Sequence, residues 1–154
     1  MKTTIDTILA RVLVALMGLM VVDVLWQVAS RFLLKAPSSF TEELARYLLI
    51  WIGLLGAAYA SGQKNHLSIN LLSEKLKPQG RLRLEQVQCI IIILFALAAL
   101  VIGGSRLVYV TYILQQSSPA LQLPLAAVYL VLPLSGLLVM YYKILELRAP
   151  KTTP

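Results

Sequence analysis

"CIIIILFALAALVIGG", residues 89–104, carries no charge and, after Cys89, only aliphatic side chains, one phenyl ring and two glycines. A bilayer core is roughly 30 Å thick and takes about 20 apolar residues per helical crossing. The apolar block containing this run extends over about 87–113, and three more lie at about 8–34, 44–61 and 125–145, separated by stretches holding Pro, Ser, Asn and charge. The expected fold is all-α and integral to a membrane: one four-helix transmembrane domain over 1–154, with spans at about 8–34, 41–62, 84–114 and 124–147.

Composition excludes the alternatives. Of the 154 residues 58% are hydrophobic, with mean hydropathy +0.78, against about 45–50% apolar in a soluble domain. A water-soluble fold of this size could not hide so much apolar surface. The net charge of +7 comes from 14 basic residues that fall mainly between the apolar blocks, which is how membrane flanks look and not a footprint for nucleic-acid phosphates. With one cysteine, Cys89, and one histidine, His66, the chain supplies neither an intrachain disulfide nor a multi-cysteine metal site nor a bis-histidine haem site. No cofactor is expected.

In the first block Lys2 and Arg11 precede an apolar run, and "VAS" (28–30) loosely resembles a cleavage site. A signal peptide, however, has no use for the polar stripe of Asp23, Gln27 and Arg31 at i, i+4, i+8, which lies on one helical face and must meet protein or water. The second block opens "SSFTEELARYLLIW" (38–51). Pro37 breaks what precedes it, Ser39 and Glu42 have the S-x-x-E spacing of a capping box, and Glu42 and Arg46 form an i, i+4 pair. Further along, Gly53, Gly56, Ala57 and Ala60 make one face smooth, which lets another helix approach, within this chain or from a partner.

Residues 66–77 read as a short amphipathic helix in contact with membrane lipids, stopped by Pro78. Arg106, near the far end of the third block, can snorkel to water. Pro124 suits the first turn of the fourth span and Pro133 predicts a kink inside it. Lys and Arg concentrate at the N-terminus, in the 62–84 connection and at the C-terminus, while the 114–124 loop holds none. By the positive-inside rule both termini are expected in the cytoplasm.

Catalysis is not indicated. Glu42 and Glu43 are adjacent, so on a helix they point about 100° apart and cannot serve one substrate atom. Capping and an ion pair to a neighbouring helix, for instance through Arg31, explain them better. His66 has no carboxylate or cysteine at ligand spacing, and Ser117-Ser118 has no nearby base. No phosphate loop or nucleophile elbow is present.

The arginine ending the first span, then "SRFLLKAPSSFTEELARYLLIWIGLLGAAYA" (30–60), "NHLSINLL" (65–72) and "SPALQLPLAAVYLVLPLSG" (118–136), in this order, resemble the small membrane subunit (Q subunit, DctQ-like) of tripartite ATP-independent periplasmic (TRAP) transporters. The resemblance implies four transmembrane helices plus an interfacial one, bound to a large multi-span M-type subunit that carries substrate and sodium ions. It implies a periplasmic solute-binding protein delivering an organic anion, such as a C4-dicarboxylate or a sialic acid. In that picture the chain is a scaffold in a bacterial inner membrane, and Arg31, Glu42, Glu43, Arg46 and His66 are partner-interface candidates. Phe40 stands where the family often has tryptophan, keeping an aromatic anchor without the indole N–H. Two other readings share the size and hydrophobicity: the membrane anchor of a redox complex, and a small homo-oligomeric transporter using Asp23 as a proton site.

Overall fold

The computed structural model describes residues 2–33, 39–63 and 78–148. His66 and the expected interfacial helix at 66–77 lie outside the described residues. Helices α1 (Lys2–Leu33) and α2 (Ser39–Gly62) are followed by a long third span built from α3 (Pro78–Phe95), a π-helical segment (Ala96–Gly103) and α4 (Gly104–Ile113). The fourth span is α5 (Leu125–Tyr129) and α6 (Val131–Arg148). Among the described residues four helices are long and apolar enough to cross a membrane: Lys2–Leu33, Ser39–Gly62, Arg83–Ile113 and Leu125–Arg148. There is no strand among the described residues, so the chain is an all-α integral membrane protein.

The helices form an open row. α1 packs on α2, α2 on α6, and α6 on α3 and the π-helical segment, which leaves α1 and the third span as edges. On α1 the inward side runs through Leu9, Leu13, Leu16, Asp23 and Ser30, alternating steps of three and four residues or their sums, the spacing that keeps one face against a neighbour. The core is Leu9, Leu55, Val131 and Tyr142, with a second cluster of Ala58, Ala96 and Val139 between α2, the third span and α6. Large apolar side chains cover the outside, among them Val14, Leu25, Trp26, Ile91 and Phe95. Water would not tolerate such a surface; lipid is as apolar as they are.

Close approach of the third and fourth spans depends on two glycines. A Cβ on Gly136 would stand 2.7 Å from Leu100 Cβ and 2.9 Å from Val101 Cγ2, and one on Gly104 would stand 2.8 Å from Leu132 Cβ. Wide π-helical turns of Ala96–Gly103 lie against this contact. The fourth span breaks at Leu130 (φ −60°, ψ −22°), between α5 and α6. Pro133 is the cause: with no N–H it leaves the Tyr129 carbonyl without its helical donor, and the next bond, Leu134 N–H to Leu130 O, is long at 3.4 Å. The indole of Trp51 donates to the Val128 carbonyl at 3.1 Å, tying α2 to the turn before the break. Neighbouring side chains commonly re-satisfy the backbone around a broken membrane helix in this way.

The glycines give a paired prediction. Gly136→Ala should lower stability by about 1–3 kcal/mol, the cost of overpacking a contact that cannot move aside. Gly53→Ala, where nothing lies within 4 Å, should be neutral or gain up to about 1 kcal/mol from reduced chain entropy. Thermal unfolding of the two variants in one detergent checks both.

Candidate functional site

The polar groups with most at stake lie where α2 begins and where the third span turns into the fourth. Glu43, only 8% exposed, sits in the first turns of α2. Its Oε2 accepts the backbone N–H groups of Ala120 at 2.9 Å and Leu121 at 3.0 Å. Its Oε1 accepts the Tyr47 hydroxyl at 2.7 Å, one helical turn along. Two consecutive amides aimed at one carboxylate oxygen form a small anion-binding concavity.

The loop is folded to present them. Ser118 N–H donates to Leu123 O at 2.9 Å, Gln122 N–H to Ser118 O at 3.1 Å, and Leu125 N–H to Gln116 O at 2.9 Å. Gln115 and Gln122 take left-handed backbone conformations, φ 48° and 55°, uncommon for residues with a side chain and held here by the surrounding bonds. Ser118 is fully buried, and its hydroxyl lies against the Glu43 carboxylate and Tyr47 without the geometry of a full hydrogen bond. Remove the carboxylate and two amides in this partly buried turn lose their acceptor.

Glu42 behaves differently. It pairs with Arg46 at 3.4 Å, with both side chains about two-thirds exposed, and such surface pairs contribute little. The glutamate that crosses to another segment is Glu43, which bonds the 118–121 turn, while Arg31 is exposed at the end of α1. Backbone donors are already fixed in place, whereas ordering a long arginine side chain costs entropy. Ser39 is the first described residue of α2.

The polar stripe of α1 grades from buried to open. Asp23 is 6% exposed, with Oδ2 lacking a hydrogen-bond partner; Gln27 is half-buried and Arg31 exposed. Ser30, buried and donating to the Gln27 carbonyl at 2.9 Å, takes the inward place at this end of the helix. The small face turns outward: Gly53, Ala57 and Ala60 are exposed and Gly56 is half-buried, so no described helix packs closely on it.

At the opposite end of the row a second set of ties joins three helices. Tyr142 donates to Asp6 Oδ1 at 2.5 Å, its ring fills the space beside Gly62, and Lys2 Nζ donates to the Gly62 carbonyl at 2.9 Å. Lys143, 1% exposed, pairs with Glu146 at 2.8 Å. None of these residues stood out in the sequence. Tyr47 could have been found from its i, i+4 spacing to Glu43; the amides of Ala120 and Leu121 leave no mark in a sequence.

Fold and buried ties together define a multi-pass membrane protein whose polar groups hold helices and loops to one another. Residues 20–149 match the family model described as "Tripartite ATP-independent periplasmic transporters, DctQ component", and the chain belongs to that family. It is a transport component of a bacterial inner membrane and not an enzyme. Among its relatives, the sialic acid TRAP transporter small permease protein SiaQ of Vibrio cholerae is 33% identical over 104 residues, 68% of this chain and 60% of that protein. A putative TRAP transporter small permease protein of Haemophilus influenzae is 30% identical over 126 residues, 82% of this chain and 76% of that one. The isethionate TRAP transporter permease protein DctMQ of Oleidesulfovibrio alaskensis is 34% identical over 103 residues, 65% of this chain but 16% of that protein.

Glu43→Ala, which removes the acceptor, should release the loop: hydrogen exchange at the Ala120 and Leu121 amides is expected to speed by about tenfold or more, since their protection rests on a local bond. Glu42→Gln should leave both rates unchanged. Exchange measured by mass spectrometry on the detergent-solubilised chain distinguishes the two glutamates.

Proposed function

We propose that this chain is the non-catalytic scaffold subunit of a sodium-coupled TRAP transporter that imports an organic anion. The single observation that carries the reading is the family match over residues 20–149. The open row supports it: among the described residues both edges and much of both faces are apolar and uncovered, which suits a chain completed by a larger membrane partner. The partner is a large multi-span M-type subunit. The Oleidesulfovibrio relative supports this, because the region like this chain is 16% of a much longer permease. A periplasmic solute-binding protein delivers the substrate.

In this reading the exposed face of Glu42, Arg46, Gly53, Gly56, Ala57 and Ala60, together with Arg31 and His66, is the candidate contact with those partners. Glu43 acts one step back, fixing the loop that follows the third span. The substrate is a carboxylate-bearing or similar organic anion, a C4-dicarboxylate or a sialic acid among the candidates. One relative is named for sialic acid and another for isethionate, so relatives do not single out one compound. Both termini face the cytoplasm and the Glu43-bound loop faces the periplasm, on the strength of the lysine and arginine distribution.

Deleting this chain from its cell should abolish uptake of the cognate anion and lower the membrane level of the large subunit; normal uptake by the large subunit alone would overturn the scaffold reading. For topology, a C-terminal green fluorescent protein fusion should fluoresce, and alkaline phosphatase inserted at Ala120 should be active. The reverse pattern would invert the orientation.

A further inference from the structure

The outer flank of α4 carries a charge that no described residue answers. Arg106, Tyr109 and Ile113 follow at i, i+3 and i+7, and all three are exposed, Tyr109 at 64%. The described ion pairs, Glu42–Arg46 and Lys143–Glu146, lie on other helices, and Arg106 has no partner among the described residues. α4 itself has no acidic residue. On a lipid-facing flank the Arg106 guanidinium is drawn toward the interface, where water and lipid phosphates lie.

Depth identifies the anion. The three helical segments of the third span, Pro78–Ile113, have 18, 8 and 10 residues, about 54 Å at 1.5 Å per residue, against a core of roughly 30 Å. Shared between the two ends, the excess lets each project by about 12 Å. Arg106 stands seven residues before Ile113, about 10 Å down the helix, so its Cα is within about 2 Å of the hydrocarbon boundary. A side chain of that length brings its head back to the phosphate level. Tyr109 and Tyr112, the latter 66% exposed, mark the same interfacial belt. A carboxylate deep in another span would be out of reach of a head held there; a lipid phosphate is within it.

We propose that Arg106, with Tyr109 beside it, binds the phosphate of a net-anionic phospholipid such as phosphatidylglycerol, whose acyl chains run along exposed Ile102 toward the midplane. Phosphatidylcholine is disfavoured because its quaternary ammonium is cationic like Arg106 and leaves the headgroup with no net negative charge. The site depends on membrane placement alone and stands apart from the scaffold role.

Native mass spectrometry of the full chain in mild detergent, titrated with phosphatidylglycerol or phosphatidylcholine, tests it. The wild type should hold phosphatidylglycerol about fivefold more tightly than phosphatidylcholine, and Arg106→Gln should lose about fivefold in phosphatidylglycerol affinity, the effect of one basic residue at a lipid surface. Arg106→Lys, which keeps the charge and should fold like the wild type, should retain most of the preference. Equal affinity of the wild type for the two lipids, or no loss on Arg106→Gln, would overturn the proposal. So would displacement of the lipid by millimolar inorganic phosphate. If Arg106→Glu instead detaches a second membrane protein, and a reversed charge on that protein restores it, the anion is a protein carboxylate and the lipid site is refuted.

Discussion

In hydrocarbon no solvent takes up a stray hydrogen-bonding group, so each one must find a partner within protein or at the interface. This constraint accounts for most of what holds the structure together. Regular helix satisfies the backbone over the four spans, and the irregular places are where side chains step in. Glu43 takes two loop amides, Trp51 takes the carbonyl before the Leu130 break, and Lys2 takes the carbonyl that ends α2. Each tie links α2 to something else. α2 is thus the organising helix of the row, with α1 on one side and α6 on the other.

Packing follows from the same solvent. Lipid gives apolar side chains no reason to leave it, so helices associate through close fit and polar bonds. Gly104 and Gly136 supply the fit between the third and fourth spans, where added carbons would meet β-carbons at under 3 Å. The small face of α2 has the same composition and the opposite placement. It is open, and its smoothness is available to something outside the chain. Small residues in a span therefore mark a possible approach without saying whose helix makes it.

Much of the architecture was legible in the sequence because apolar length is a strong signal: four helices of membrane-crossing length and an all-α class follow from the runs themselves. Pro133 announced the break, since a missing N–H acts wherever it falls. The site was legible only in part. Spacing separated Glu42 from Glu43 and paired Glu42 with Arg46, but left open which glutamate reaches across, with Arg31 as one example of a partner. The true partners are main-chain groups 77 and 78 positions away, and every residue but proline has such a group. The Asp6–Tyr142 bond was hidden for a related reason, joining residues 136 positions apart on α1 and α6.

By itself the sequence determined that the chain dissolves in a membrane as four helices and that its family is that of the DctQ components, because hydropathy and ordered motifs are properties of the linear chain. Only the tertiary structure decided which glutamate turns inward, which glycines are contacts, and that the helices stand as an open row with their edges uncovered. Those are questions of which faces meet. A helix repeats every 3.6 residues and offers several faces to choose from, and the choice is made by the bonds and close approaches available once the other helices are in place.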